Sequence, residues 1–539
     1  MVTERTIINA LIIGASLILV PFVISSTLTF NYVPALCFFL LASMLMSFFI
    51  IKERLSVCPL LTVGIVGNLN FLPLPLNASN ICSILLILYY ITGYVIIRQK
   101  RIRLGNNRFL WPIVILTLIV LYHNHDLNVR VLGGEKEGGK ASILIYVAVL
   151  AYFCGINLPT PSVRFLGRIP FWFVVATLIG AAPNVLSTYF PSLAPYLFTM
   201  TDNINLDAYV NAQSGFSSDL TNGIGRITAF GPVAGALQLY LLCHYPMGTW
   251  LRPERWWVAG LSFGCLLLAI SSGYRNVIFG FAVITMVVAW CYHSERSLIL
   301  PATLFLVALI LAIGSSNQLI SLPQSDLPLV AQRTLSFLPG KWDEDAVESA
   351  KASNEFRDNI QKIYINEYMT RSPLLGNGFD IDTKEFNELS DSLRFGSPGM
   401  DAQYVQGKAF IEGKLFHTGW VSVYDAVGFV GTVSFLILGW NQIRIGSHFV
   451  FGPKADRRST LFPLYVWLLS NTVSTMILFF TVFGDFKETF MDMCVYGIIF
   501  SHLLDIEKNT DVPIVLPGHQ GRIEHTGFKG SLDGYQSRT

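Results

Sequence analysis

Four side chains in this sequence combine useful chemistry with an unusual position: Arg226, Arg275, Arg357 and His417. Each lies at the edge of an apolar run or in a polar segment between two such runs. A cation at the edge of a membrane span is expensive to keep there, so its presence points to an anion or a partner. Arg275 sits in Ile270-Ser271-Ser272-Gly273-Tyr274-Arg275-Asn276, a polar turn between two apolar runs. Its planar fork of donors suits a phosphate, although an Arg whose stem lies on apolar surface with its head in water fits the same position. Arg357 falls on an amphipathic stretch, where a solvated face is the ordinary reading, and Arg226 ends a polar loop. His417 opens an apolar run as His417-Thr418, followed after nine residues by Gly428-Phe429-Val430-Gly431. A neutral imidazole at a water–membrane boundary can take a proton from a hydroxyl near neutral pH. Taken alone, a histidine there also reads as an interfacial residue. The two glycines permit close packing or backbone approach deeper in the run.

These residues need a scaffold, and composition sets its class. A chain of 539 residues that is 52% hydrophobic and only 13% charged is too apolar for a soluble globule. Runs of roughly 18–22 apolar residues recur, the length needed to cross a hydrocarbon core of about 30 Å. They fall at 6–25, 32–51, 57–73, 80–98, 109–124, 141–156, 169–190, 228–246, 256–272, 275–292, 298–316, 416–440, 459–482 and 488–505. Basic residues concentrate in alternate connections: Lys52/Arg54, Arg98 to Arg108, Arg164/Arg168, Arg252/Arg255, Arg296 and Arg444 to Arg458. The positive-inside rule then puts both termini in the cytoplasm and the long polar segment outside. The expected architecture is an all-α polytopic membrane protein of about 12–14 transmembrane helices. Spans and short loops occupy 1–316, a periplasmic lid loop 317–415, further spans 416–505 and a disordered cytoplasmic tail 506–539.

Within the lid, Asp343 is a suitable N-cap and Phe356, Ile360, Ile363 and Tyr364 share one helical face. The predicted helix ends before Ser372-Pro373, and Gly376-Asn377-Gly378 follows. All eight cysteines fall in apolar runs and read as small buried hydrophobes. A formal charge of +2 without a basic arm argues against nucleic acid as a partner.

Several motifs are decoys. Gly134-x-x-x-x-Gly139-Lys140 matches the start of a phosphate-binding loop, but Ala141 stands where a Mg²⁺-binding hydroxyl is required. His123-Asn124-His125 supplies two imidazoles and no third metal ligand. Asp343-Glu344-Asp345 and Asp380-Ile381-Asp382 have the DxD spacing of metal-dependent sugar transferases, in a loop rich in acids. Chemistry without a metal is the expectation.

The pattern His417-Thr418-x9-Gly428-x2-Gly431 resembles the signature of the O-antigen ligase and O-antigen polymerase superfamily of bacterial envelope glycosyltransferases. Arg357 followed by Pro373-Leu374-Leu375-Gly376-Asn377-Gly378 is similar to that family's outer-loop Arg and its P-L-L-G-x-G stretch. Ser271-Ser272-Gly273-Tyr274-Arg275 resembles its Ser/Gly-Arg turn between two spans. The motif-bearing likeness covers roughly 226 to 440. Thr418 departs from the usual Asn, Ser or Gln, and a Trp common shortly after the loop Arg is absent.

The resemblance implies an inverting transferase in the bacterial inner membrane with its site facing the periplasm. Its donor would be an undecaprenyl-diphosphate-linked oligosaccharide, and its acceptor a second glycan or lipid A-core. Arg275 and Arg357, with Arg226 as a third candidate, would face the donor pyrophosphate, and His417 would position or deprotonate the acceptor hydroxyl. No cofactor is implied, because the lipid-pyrophosphate bond already carries the driving force. The competing class is a transporter or flippase of lipid-linked sugars without chemistry, which many spans and edge-of-span arginines also suit. Such proteins often show two similar halves, and no such internal symmetry stands out here.

Overall fold

The computed structural model describes residues 52–70, 76–96, 107–124, 136–137, 139–204, 227–250, 252–292, 327–337, 342–395, 402–416, 418–453, 455–482 and 484–510. The expected spans 6–25, 32–51 and 298–316, together with Arg226, His125 and His417, lie outside the described residues. What is described is helical almost throughout, with two antiparallel pairs of two-residue strands.

The apolar runs fold as helices because every backbone donor is then satisfied within the run itself. In chain order they are α1 (Cys58–Val63), α2 (Ala78–Tyr90), α3 (Asn107–His123), α4 (Gly139–Asn157), α5 (Val163–Leu166), α6 (Ile169–Tyr189), α7 (Ala194–Met200), α8 (Phe230–His244), α9 (Trp256–Ser271) and α10 (Arg275–Cys291). The lid follows as α11 (Leu329–Leu335), α12 (Glu344–Ile363), α13 (Thr383–Phe395) and α14 (Ala402–Glu412), and the last apolar helices are α15 (Gly419–Phe451), α16 (Phe462–Thr481) and α17 (Phe486–Thr510). Among the described residues, four helices are long and apolar enough to cross a membrane: Ile169–Tyr189, Gly419–Phe451, Phe462–Thr481 and Phe486–Asn509. Shorter apolar helices at 78–93, 108–123, 141–157 and 275–291 pack beside them. Large apolar side chains also face outward, among them Trp111, Leu118, Ile179, Phe263 and Trp440. A surface that exposes these to its surroundings belongs in lipid, not water.

Two expectations are corrected. Residues 57–73 do not form a span: α1 stops after six residues, and the chain turns through Gly64 and Gly67 into strand β1 (Asn68–Leu69), paired with β2 (Leu76–Asn77). Close approach decides this, since a Cβ at Gly64 would meet the Thr177 amide at 3.0 Å and one at Gly180 the Ile65 Cα at 2.7 Å. The tail also begins later than expected, because α17 continues to Thr510 and Glu507 accepts from His448 at 3.0 Å.

The centre of the bundle is α15, which packs on α3, α16 and α17, while α4 joins α2 to α17 and α8 joins α6, α9 and α10. The connections sort into two ends. At one, Arg54 lies over the Phe165 ring at 5.0 Å, Asn441 donates to the Arg108 carbonyl and Trp290 meets Phe451. At the other, Asn68 bonds Asp202, and β3 (Lys136–Glu137) pairs with β4 (Ile381–Asp382) in the lid. Within the segment that imitates a phosphate-binding loop, Lys136–Glu137 are thus a strand paired with Ile381–Asp382 of the second DxD segment, and Gly139 begins α4.

Candidate functional site: an arginine clamp beside a broken helix

The first part of the site is the turn between α9 and α10. Gly273 has φ +77°, which lets the chain reverse between two antiparallel helices. Arg275 is the first residue of α10, where a positive charge opposes the helix dipole at about 0.3–1 kcal/mol. It is offset by contacts across the turn: Arg275 Nη2 donates to the Ala350 carbonyl at 2.9 Å and to Asn354 Oδ1 at 3.0 Å, both on α12. Arg357 follows on the same stripe of α12, since 350, 354 and 357 share one face at i, i+4 and i+7. It is half-buried, not solvated, and its own short contact is a long one to Ser353 Oγ at 3.4 Å. Burial, and then the Arg275 charge, lowers the Arg357 pKa below the ordinary guanidinium range. Two guanidinium groups therefore face one region, and among the described residues neither is in an ion pair with a carboxylate.

A third arginine, which sequence reasoning missed, supports the same turn. Arg333 of α11 is 8% exposed and donates from Nη1 to the Gly273 carbonyl at 3.2 Å, two residues from Arg275. The next residue, Thr334, donates to the Ile270 carbonyl. Its signal was available, because Leu329–Leu335 is an apolar stretch carrying a single Arg.

The lid helix forms as predicted: Asp343 caps α12 by accepting from Asp345 N at 3.0 Å, and a π-helical turn over Tyr364–Tyr368 ends it. Ile360, Ile363 and Tyr364 are buried, with Phe356 partly so, against Phe410, Ile411, Phe416, Trp420 and Val421. The face expected from spacing is thus the one that seats the lid on the start of α15. Thr418 is the N-cap of α15 and 7% exposed, and its Oγ1 is buried without a hydrogen-bond partner among the described residues. Phe416 and Thr418 flank His417 in the chain.

The second part is a break inside α15. Gly428 has φ +63° and ψ −165°, and the helix is interrupted there. Residues 373–378 fill the gap: Phe429 N donates to the Pro373 carbonyl at 2.9 Å, and Val430 N to the Leu374 carbonyl at 3.0 Å. In return Asn377 N donates to the Asp425 carbonyl. Gly376, with φ +82°, approaches so closely that a Cβ would lie 2.5 Å from Gly428 N. On the other side a Cβ at Gly428 would lie 2.5 Å from the Leu374 carbonyl carbon. Both positions therefore require glycine by conformation and by space. Gly378 packs on the His123 ring, whose Nε2 lies 2.8 Å from the Leu375 carbonyl, and Gly431 faces Ile119 of α3. His123 thus braces the inserted loop.

Beneath the loop is a polar cluster that sequence reasoning also missed. Asp425 is 1% exposed; it accepts from Asn377 Nδ2 at 2.8 Å and from Lys414 Nζ at 2.7 Å. Lys414 has φ +54°, the one non-glycine residue with positive φ among the described residues. Burial, and then the Asp425 charge, raises the Tyr364 pKa, so the lid's last helical turn abuts the same carboxylate. Asp425 stood out in the sequence as the lone carboxylate of the run 416–440.

Compared with models of known protein families and with curated proteins, the chain matches none. Structure brings Arg275 and Arg357 together, and separately joins Gly376, Gly378, Gly428 and Gly431. The two parts are linked by α12 and the π-helical turn after it, along which Arg357 and Tyr364 are seven residues apart, about 10 Å of helix. Among the described residues no group of three His, Cys, Asp or Glu side chains could hold a metal ion.

Proposed function

We propose that the protein is a lipid-carrier-dependent glycosyltransferase of the O-antigen ligase or polymerase type. The observation that carries this reading is the pair Arg275 and Arg357, half-buried side by side with no carboxylate partner among the described residues. Two adjacent cations facing one region repel unless an anion joins them, and a diphosphate supplies the charge and the acceptors. In the proposed reaction the acceptor hydroxyl oxygen attacks the anomeric carbon of the donor sugar from the face opposite the diphosphate. The carbon–oxygen bond to phosphate breaks, its electron pair leaves with undecaprenyl diphosphate, and the arginines stabilise the charge that grows there. His417 accepts the hydroxyl proton. The lid seated over the start of α15 keeps out water that would otherwise hydrolyse the donor. Neither ATP nor a metal is needed.

The test is direct: purified protein, a lipid-linked repeat unit, and a candidate acceptor added or withheld. Longer glycan on the carrier identifies a polymerase, and transfer to the added acceptor identifies a ligase. Absence of both products from folded protein supplied with its genuine repeat unit would reject the reading in favour of transport.

A further inference from the structure

At the end of the bundle opposite the lid, a cavity of about 320 Å³ is lined by Arg54, Cys58, Leu61, Ser162, Arg164, Phe165, Arg168 and Trp172. Three arginines from two connections, 52–57 and 158–168, converge on it. Among the described side chains none of the three is in an ion pair with an acid. Arg54 instead lies over the Phe165 ring at 5.0 Å, which holds its guanidinium flat against the wall. Apart from Ser162 the remaining wall is apolar, and it includes Trp172, which with its neighbour Phe171 is exposed on α6, at 41% and 45%. The volume is at the low end of the range of ligand pockets, about 300–1,000 Å³. A phosphate with a small substituent fits it, whereas acyl chains would have to run outside along α6.

We infer that this cavity binds the headgroup phosphate of an anionic membrane phospholipid. Three guanidinium groups without a carboxylate partner among the described residues call for an acceptor with several oxygens, and an aromatic sill suits the boundary between headgroups and chains. Basic pockets between membrane helices recognise anionic headgroups by this combination. The inference is independent of the proposed glycosyl transfer, because the cavity and the arginine clamp lie at opposite ends of the molecule.

Thermal unfolding of the full chain in mild detergent tests it, with phosphatidylglycerol, phosphatidylcholine or inorganic phosphate added. Phosphatidylglycerol should raise the midpoint by several degrees, and neither other addition should match it. In Arg54→Gln/Arg164→Gln/Arg168→Gln that rise should vanish. A control triple, Arg252→Gln/Arg457→Gln/Arg458→Gln, removes equal charge from the same end and should keep it. Because the three cavity arginines are exposed, the triple variant should fold; if it does not, the single variant Arg168→Gln should lower apparent lipid affinity about tenfold. Equal stabilisation by phosphatidylcholine, an equal shift with inorganic phosphate, or an unchanged response in the cavity variants would each overturn the inference.

Discussion

The roles proposed for Arg275, Arg357 and His417 differ, so their variants should fail differently. Arg275→Ala and Arg357→Ala remove charge that would face the diphosphate, and each should weaken donor binding and turnover together. Lys at either position keeps the charge but not the planar fork, and part of the activity should survive. His417→Ala should bind donor almost normally while turnover falls about 10²–10⁴-fold, the range for loss of a general base. Steady-state kinetics with lipid-linked donor, beside a donor-binding assay, separate these cases, and full turnover in His417→Ala would remove the proposed base. A second residue-scale expectation concerns Lys414 and Asp425, whose side chains are 19% and 1% exposed. Loss of one partner from a buried pair costs about 3–5 kcal/mol, whereas apolar replacement of both is often close to neutral. Lys414→Met should therefore destabilise more than Lys414→Met/Asp425→Leu, read as unfolding midpoints in detergent. A double variant less stable than the single would show that Asp425 matters mainly through Asn377.

At the scale of elements, the decisive feature is the loop 373–378 set into the break of α15. A Cβ at Gly428 adds a left-handed strain of about 1–2 kcal/mol and an overpacking cost of about 1–3 kcal/mol. Gly428→Ala should lower the unfolding midpoint sharply, while Gly235→Ala, where a Cβ meets nothing within 4 Å, should leave it near the parent value. Equal midpoints for the two would mean that the insertion contributes little to stability. Much of this was legible beforehand. Period and length marked the helices, Asp343 marked the start of α12, and the stripe from Phe356 to Tyr364 marked the face that packs. Glycine spacing announced a close backbone approach near Gly428. It did not announce the partner, because a loop fifty residues upstream that supplies carbonyls to a helix leaves no periodic trace. Arg333 and Lys414 escaped because a lone cation in a polar segment reads as solvated, and the Gly273 carbonyl that Arg333 meets lies sixty residues away. Residues 57–73 were misread because hydropathy alone cannot distinguish a span from a short helix packed tightly under glycines.

For the whole molecule, the sorting of connections into two ends gives an experiment that needs no substrate. Arg54, Arg164 and Arg168 gather at one end and the lid at the other, as the distribution of basic residues leads one to expect. Single cysteines at Lys351, an exposed lid position, and at Thr460, beside Arg458, should react with a membrane-impermeant thiol reagent from opposite sides. The native cysteines described are buried or half-buried in the helical bundle, so an impermeant reagent should favour the introduced thiols. Labelling of both sites from one side would invert the arrangement and separate the arginine clamp from any periplasmic substrate.

The break at Gly428 also bears on how the chain is made. The amides of Phe429 and Val430 find their acceptors only in Pro373 and Leu374, which leave the ribosome earlier and on the far side of a polar segment. Before the segment 373–378 docks, α15 either runs unbroken through Gly428, with those amides bonded to its own preceding turn, or leaves two donors unmet at several kcal/mol each in hydrocarbon. The break at Gly428 and the docking of the lid loop therefore form together. A lid held unfolded during synthesis should leave α15 unbroken around Gly428 until the loop docks.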